Sequence, residues 1–437
     1  MDNNFFVPDD NHNADEFYHE SDMKNFEEKK KTNTQNNNTF LSDSTFFIPD
    51  DVPSFDAIEG IKYDFNYGFR ISFPCNDKKY RLVFKDYEKN IILYDNIVMP
   101  GSVINSIKKY YIKYAFYIYD DDKLVYEHVM NLSNKDVIIQ SPVKTLGDSI
   151  AWFSYYERFQ QKHKCNLIIA INPDVQEIFQ KQYPNLTFTT KEGLSKYKSY
   201  AMYYLGLFFN GDKDHQPIDF KLVGLHKTAA MILGLYNKEE QEEIPPRVNL
   251  NAKRQIKEKY VVIATLASSQ AKCWNNPLGW SKVIEFLKEN GYKVVCIDKE
   301  RVYGWGVCYN HIPWGVEDYT GNLPLQERID IIKDADFFIG LPSGLTWLAW
   351  CCKVPIVLIS GFSLPKTEFY TPYRIINYNA CCGCWDDVTK NFEHDNYMWC
   401  PYKESDNEKF ECTKLITPDH VINVIKTIPT FKKGDKN

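Results

Sequence analysis

The stretch ADFFIGLPSGLTWLAWCCKVPIVLISG, residues 335–361, decides the fold of this chain. It contains two short apolar runs, DFFIGL and PIVLIS, that are typical of buried strands, with a helix-like segment between them. Residues 340–344 are expected to turn the first strand into a helix that starts near Leu345. Strand, helix and strand in this order indicate a mostly parallel sheet with helices on both faces.

The same alternation occurs in two units of the chain. In the first unit, the runs DVIIQS and NLIIAI alternate with helix-like segments over residues 149–163 and 175–182. In the second unit, YVVIATL and YKVVCID alternate with helix-like segments over residues 279–289 and 325–334. Two such units leave a cleft between them, lined by the carboxyl ends of the strands, where open α/β sheets bind their ligands.

Composition divides the chain into four regions. Residues 1–50 are rich in Asn, Asp and Lys and are expected to form a disordered tail. Residues 51–135 hold Tyr- and Ile-rich runs such as YRLVF and NIILY between polar turns, which predicts a small antiparallel β domain. The charged, Pro-containing residues 237–259 read as a linker. We therefore predict two Rossmann-like domains, over 136–245 and 246–437.

A hexapeptide occurs twice near the start of the chain. FFVPDD at residues 5–10 recurs as FFIPDD at residues 46–51. The repeat is either a duplicated docking peptide or an accident of tail duplication.

Charge and hydropathy exclude several classes of protein. A net charge of -6 and a pI near 5.9 leave no general basic field for nucleic acid, and no 18-residue apolar run predicts a membrane span. The acidic start MDNNFFVPDD lacks the features of a secretory signal, so we expect a cytoplasmic protein. Reducing conditions there disfavour disulfides, so the twelve cysteines read as core thiols plus a metal site.

The first candidate loop is SPVKTLGDSIAW, which follows a predicted strand and contains Asp148. An Asp directly before a helix is a favoured N-cap. Alternatively, its carboxylate faces the cleft and accepts a proton from an acceptor hydroxyl. The residues alone leave both interpretations open.

Two further loops at strand ends have the composition of anion sites. In TLASSQAKCW, Ser268, Ser269 and Lys272 could surround a diphosphate with hydrogen-bond donors and one positive charge. In IGLPSGLTW, the helix after Pro342 would present unpaired N–H groups to a phosphate. Neither loop is a P-loop or a G-x-G-x-x-G motif, so a nucleotide would be held in a different way.

Four cysteines near the carboxyl end have the spacing of a metal finger. Cys381 and Cys384 form a C-x-x-C knuckle, and Cys400 and Cys412 follow at longer spacing, while Cys382 is the spare thiol. Four sulfur ligands suit zinc or iron, and spacing alone favours zinc. A redox C-x-x-C motif is less consistent with these residues, because GCWDD reads as a loop.

These loops and the cysteine segment resemble the bacterial autotransporter heptosyltransferases. TLGDSIAW, SSQAKCW with PLGW, and residues 335–361 are similar to ADP-heptose-dependent heptosyltransferases, and NACCGCWDD through FECTKLITPDHV is similar to the autotransporter group. The resemblance spans about residues 55–428. It implies the GT-B fold, two Rossmann-like domains with a cleft between them, here with the N-terminal β domain and a four-cysteine metal finger over residues 377–415.

The resemblance also implies a reaction and the residues that perform it. Heptose would pass from ADP-heptose to serine hydroxyls of an autotransporter adhesin before its export, with inversion and with Asp148 as general base. It further implies ferric iron instead of zinc in the finger, and a homo-oligomer of twelve subunits. The alternatives are another nucleotide sugar, or a catalytically inactive module that binds a nucleotide sugar. The donor would contact the following residues: Ser268, Ser269, Lys272, Pro342, Ser343, Gly344, Leu345 and Thr346.

Overall fold

A computed structural model describes residues 46–236, 243–306, 308–403, 405 and 407–431. These residues belong to one compact unit, Asp43–Asn437. The first FFVPDD copy and residues 1–45 of the predicted tail lie outside the described residues. None of the described helices has the length and apolar character needed to cross a membrane.

The N-terminal region is a set of antiparallel strands. Strands β5-β4-β7-β8 form one sheet, and residues 121–122 form the tight turn between β7 and β8. The strands of this region are β1 (Phe55–Asp56), β2 (Lys62–Asn66), β3 (Arg70–Ser72), β4 (Tyr80–Asp86), β5 (Ile91–Val98), β6 (Val103–Asn105), β7 (Tyr114–Asp120) and β8 (Lys123–Val129).

The next elements form the first α/β half, which we call the acceptor-side half. Its parallel strands lie in the order β11-β10-β9-β12, and β2, β3 and β6 continue the same sheet beyond β12. Strand pairing therefore crosses the boundary predicted at residue 135, and the domain limits stay a prediction. The elements are β9 (Asp136–Ser141), α1 (Leu146–His163), β10 (Asn166–Ile171), α2 (Pro173–Phe179), β11 (Thr187–Thr189), β12 (Ala201–Tyr204), α3 (Phe220–Val223) and α4 (Leu225–Ile232).

The second α/β half, which we call the donor-side half, contains a wholly parallel sheet in the order β17-β14-β13-β18-β19-β20. The stretch quoted first forms β18, α7 and β19 at its centre, as predicted. The elements are β13 (Tyr260–Ile263), α5 (Gly279–Glu289), β14 (Lys293–Cys296), β15 (Val302–Gly304), β16 (Tyr309–His311), β17 (Glu317–Asp318), α6 (Leu325–Ile332), β18 (Phe338–Gly340), α7 (Gly344–Cys351), β19 (Ile356–Ile359), β20 (Arg374–Ile375), α8 (Glu411–Lys414) and α9 (Pro418–Ile425).

The second copy of the hexapeptide lies against the acceptor-side sheet. The ring of Phe46 is 6% exposed and stacks on Tyr204 at 4.4 Å. The buried amide of Gln140 accepts from the N–H of Phe47 at 2.7 Å and donates to its carbonyl at 2.9 Å. The two copies differ only at Ile48, which is Val in the first copy. Ile48 is 57% exposed, so the contacts of Phe46 and Phe47 do not depend on this difference.

Candidate functional site

Asp148 lies in the first turn of α1, at the carboxyl end of the acceptor-side sheet. The N-cap is Thr145, so the interpretation of Asp148 as the N-cap is wrong; instead, the Thr145 hydroxyl donates a hydrogen bond to the Asp148 carboxylate. Burial raises the pKa of Asp148, and the Thr145 hydrogen bond and the charge of Lys272 oppose the shift. A raised pKa makes this carboxylate a stronger base than an exposed Asp.

Lys272 ends a short 3₁₀ turn, Gln270–Lys272, after β13 in the donor-side half. Its ammonium lies 3.3 Å from the Ser268 hydroxyl and 5.2 Å above the centre of the Phe362 ring. Burial lowers the pKa of Lys272, and the negative charge of Asp148 is the largest influence opposing that shift. Asp148 of the acceptor-side half and Lys272 of the donor-side half therefore lie within electrostatic range of each other.

The two serines of the Lys272 loop have different surroundings. Ser268 is exposed and contacts Lys272. Ser269 is 1% exposed; its hydroxyl accepts from the N–H of Ala271 at 3.4 Å and lies 3.4 Å from the carbonyl of Tyr397. Ser269 thus stabilises the loop, whereas Ser268 lies where a ligand could reach it.

The third loop leads into α7, which begins at Gly344, one residue before the predicted start. Ser343 is the N-cap, yet its hydroxyl makes no capping bond, and this buried oxygen has no hydrogen-bond partner among the described residues. Thr346 is fully buried and donates to the carbonyl of Leu341 at 2.6 Å, which holds the loop. An unpartnered hydroxyl beside the first N–H groups of a helix suits an anion.

The starts of α1 and α7 touch each other. A Cβ atom on Gly344 would lie 2.7 Å from Cβ of Leu146 and 3.1 Å from the backbone nitrogen of Gly147. A Cβ atom on Gly147 would lie 3.1 Å from the Trp347 ring. The absence of side chains at these two glycines therefore allows the close approach of α1 to the third loop, which contains Pro342 and leads through Leu345 into α7.

Asp298 and His226 are buried polar residues with structural roles. Asp298 is 2% exposed and accepts from the N–H groups of Thr265 at 2.7 Å and Leu266 at 3.2 Å, so it holds the start of the Lys272 loop. His226 is also buried, and its Nε2 lies 3.1 Å from Oε1 of Glu243.

Sequence reasoning missed a buried carboxylate behind Lys272. Glu368 is 4% exposed, accepts from the Ser363 hydroxyl at 2.8 Å and pairs with Arg374 at 2.9 Å. Its charge helps Lys272 to remain protonated. These residues are scattered along the loop after β19 and carry no motif.

The four predicted metal ligands influence one another's ionisation. A hydrogen bond from Cys412 lowers the pKa of Cys381, and burial followed by the charges of Cys400 and Cys381 raises the pKa of Cys384 to about 12. The pKa of Cys382 is raised by burial and then by Cys381 alone. Across the described parts of the chain, however, no group of three or more His, Cys, Asp or Glu side chains is arranged to hold a metal ion. The metal finger therefore stays a prediction.

The finger segment, residues 377–415, supports the Lys272 loop. The carbonyl of Tyr397 accepts from the N–H of Gln270 at 3.0 Å, and the N–H of Trp385 donates to the carbonyl of Phe362 at 3.1 Å. An apolar cluster fills the space between the finger and the loop, formed by Ala271, Phe362, Cys384, Trp399 and Phe410. The loop that carries Lys272 is thus fixed by residues more than a hundred positions further along the chain.

Comparison with known proteins identifies related families. The N-terminal domain of glycosyltransferase TibC matches residues 58–122, and glycosyltransferase family 9 (heptosyltransferase) matches residues 196–394. The chain is 46% identical to the autotransporter heptosyltransferase Aah of Escherichia coli over 89% of this chain and 98% of the relative. It is 34% identical to the inactive autotransporter heptosyltransferase BimC of Burkholderia thailandensis, over 88% of this chain and 89% of the relative.

A solved structure has the same fold over most of the chain. The iron-containing dodecameric glycosyltransferase TibC from enterotoxigenic E. coli superposes with a TM-score of 0.83 at 44% identity, covering 87% of this chain and 98% of that protein. TibC has also been solved in complex with ADP-D-β-D-heptose. The GT-B arrangement with an N-terminal β domain is therefore confirmed.

Proposed function

The chain is a glycosyltransferase of the bacterial autotransporter heptosyltransferase family, and we propose that it transfers heptose from ADP-heptose to serine side chains of an autotransporter adhesin. The observation that carries the proposal is the contact between the starts of α1 and α7, where Asp148 from one half and Lys272 from the other lie within electrostatic range of each other. One group can accept a proton, and the other can stabilise a leaving diphosphate. We place the reaction in the cytoplasm, before the adhesin is exported.

The proposed reaction is a single displacement with inversion. The serine oxygen attacks the anomeric carbon, its proton passes to the Asp148 carboxylate, and the bond from that carbon to the phosphate oxygen breaks to release ADP. Lys272, the Ser268 and Ser343 hydroxyls and the N–H groups at the start of α7 stabilise the charge that develops on the diphosphate. Ser269 and Thr346 hold these loops in place through the hydrogen bonds described above.

The test is to incubate the protein with a panel of nucleotide sugars and a serine-rich adhesin fragment. Consumption of ADP-heptose, with a matching mass increase of the fragment, is the expected result. Consumption of a different nucleotide sugar would show that the protein is a glycosyltransferase with a donor other than ADP-heptose. Mapping the added mass by fragmentation identifies whether serine is the acceptor.

A catalytically inactive module is the second candidate, because one member of the family is named as inactive. In that case, ADP-heptose would bind without turnover, and Asp148→Asn would change neither binding nor product. The presence of Asp148, with a raised pKa and within the field of Lys272, favours the enzyme.

We propose that Cys381, Cys384, Cys400 and Cys412 hold one iron ion. The support within the finger is that Cys381 and Cys412 are hydrogen-bonded and that Cys400 packs against the apolar cluster containing Cys384, so the four sulfurs come from one small region. The similarity to iron-containing TibC favours iron, whereas spacing alone favours zinc. The ion would supply a cross-link that ties the finger together, and Asp148 and Lys272 act without it in the proposed reaction.

We also propose a homo-oligomer, with twelve subunits as in TibC. Strand β5 lies at the edge of its sheet and exposes apolar side chains, including Ile92 at 61% and Ile97 at 66%. Such an edge is normally covered by a partner. Light scattering at working concentration should give a mass many times that of one chain, and a monomeric mass would contradict the assembly.

A further inference from the structure

The finger contacts the acceptor-side half through a buried lysine. Lys221, on α3, is 6% exposed, and its ammonium donates to the backbone carbonyls of Asp387, at 3.1 Å, and Lys390. Within the described ranges, no carboxylate forms an ion pair with it. A buried ammonium is stable only where its hydrogen bonds are made, so the two carbonyls fix its position.

The finger turn that Lys221 reaches is held in one shape. One carboxylate oxygen of Asp387 accepts from the N–H and the hydroxyl of Thr389, at 2.8 and 2.7 Å. The other accepts from the Tyr402 hydroxyl at 2.6 Å. The carbonyls are therefore already oriented for the lysine, and the Trp385 ring packs beside them, 5.7 Å from the ring of Phe220.

The same finger holds the Lys272 loop through the carbonyl of Tyr397, which accepts from the N–H of Gln270. The finger thus has one face on the donor-side loop and one on the acceptor-side helix that carries Lys221. Lys221 therefore links the acceptor-side half, which carries Asp148, to the finger that supports the Lys272 loop.

We propose that Lys221 is a positioning residue: through its contact with the finger, it fixes the position of Asp148 relative to the donor site. This inference rests on the proposed function for its effect on turnover. Displacements of about 1 Å at a reacting centre can cost about 10²-fold in rate, so loss of this contact should appear in kcat. The donor loop stays attached to the finger, so the affinity for ADP should not change.

The test compares Lys221→Met with Lys181→Met in the full-length protein. Lys221→Met keeps the apolar stem and removes the ammonium; Lys181→Met removes an exposed charge from the same half, after α2. We expect Lys221→Met to lower kcat at least about tenfold with ADP affinity and metal content unchanged. Lys181→Met should leave kcat within about twofold of the wild type.

Tyr402→Phe provides a second, milder variant if Lys221→Met does not fold. It loosens the turn without touching Lys221, so it should lower kcat by a few fold, and it should add nothing in the Lys221→Met background, because both changes act on one contact. Unchanged kcat in both variants, or an ADP affinity that falls in parallel with kcat, would overturn the proposal.

Amide hydrogen exchange separates this inference from the proposed function, because it needs no activity. Lys221→Met should increase exchange in α3 and in residues 387–390, while Gln270 keeps its protection. Unchanged exchange in an active enzyme would reject the role of Lys221 alone. An inactive wild type with the expected exchange pattern would reject the transferase alone.

Discussion

Asp148 and Lys272 meet in one cleft, but the protein holds them in different ways. Asp148 lies in the first turn of an 18-residue helix, where local contacts with Thr145 fix it. Lys272 lies on a three-residue 3₁₀ turn that is too short to hold itself, and residues of the finger support it from behind. The base therefore has a hydrogen-bond partner three residues away, whereas the cation is supported by a segment more than a hundred residues away.

Removing the base tests the first side of this comparison most strongly. We expect Asp148→Asn to lower kcat by about 10³- to 10⁴-fold while ADP-heptose binding stays within a few fold, because a neutral amide cannot accept the serine proton. Asp174→Asn, in the first turn of α2, is the matched control. Wild-type turnover in Asp148→Asn, measured by release of ADP, would show that Asp148 only stabilises the start of the helix.

Lys272→Ala tests the second side. Its charge meets a leaving group whose negative charge grows in the transition state, so we expect weaker ADP binding together with a loss of about 10²-fold in kcat/KM. Lys282→Ala removes a lysine from an exposed pair with Glu285 and should change neither. Calorimetry with ADP provides the binding measurement; unchanged affinity would remove Lys272 from the phosphate site.

Disrupting the finger should loosen the Lys272 loop that it supports. Cys384→Ser should abolish metal binding and the visible colour that a ferric thiolate site gives and zinc does not, and it should weaken ADP binding about tenfold as the Lys272 loop loosens. Cys382→Ser should retain both colour and affinity. A colourless wild type with one zinc per chain would show that the finger holds zinc and not iron. Loss of colour in Cys382→Ser would show that the proposed ligand set is wrong.

The same contrast explains what the sequence could predict. Strand and helix periodicity located α5 at its observed bounds and placed α7 within one residue, because both depend on local apolar patterning. Asp148 could be found from its place after a strand, although its position within the helix was missed because the turn begins earlier, at Leu146. The roles of Lys221 and Glu368 could not be predicted from the sequence. Lys221 acts through contacts with a segment distant in the chain, and Glu368 lies in a loop without a motif.

The smallest expected effect concerns the pH dependence of the base. The pKa of Asp148 is already raised by burial, and the hydroxyl of Thr145 partly offsets that shift by donating to the carboxylate. Thr145→Val removes this donor, so the pKa of Asp148 should rise further, and the acidic limb of kcat/KM should move to higher pH. The base must be ionised to act, so activity falls as pH drops through the raised pKa, and the variant loses activity first.

Ionisation of Asp148 should raise activity but lower the stability of the folded protein, so stability provides an independent check. A carboxyl whose folded pKa is raised costs stability once it ionises, so this cost appears as pH rises from the ordinary Asp pKa through the raised value. Thr145→Val should extend the pH range over which ionisation of Asp148 lowers stability. Asp148→Asn removes this cost, so its melting temperature should rise relative to that of the wild type at pH values above the raised pKa. An acidic limb that stays in place in Thr145→Val would show that another group limits the rate at low pH, even if Asp148 remains essential.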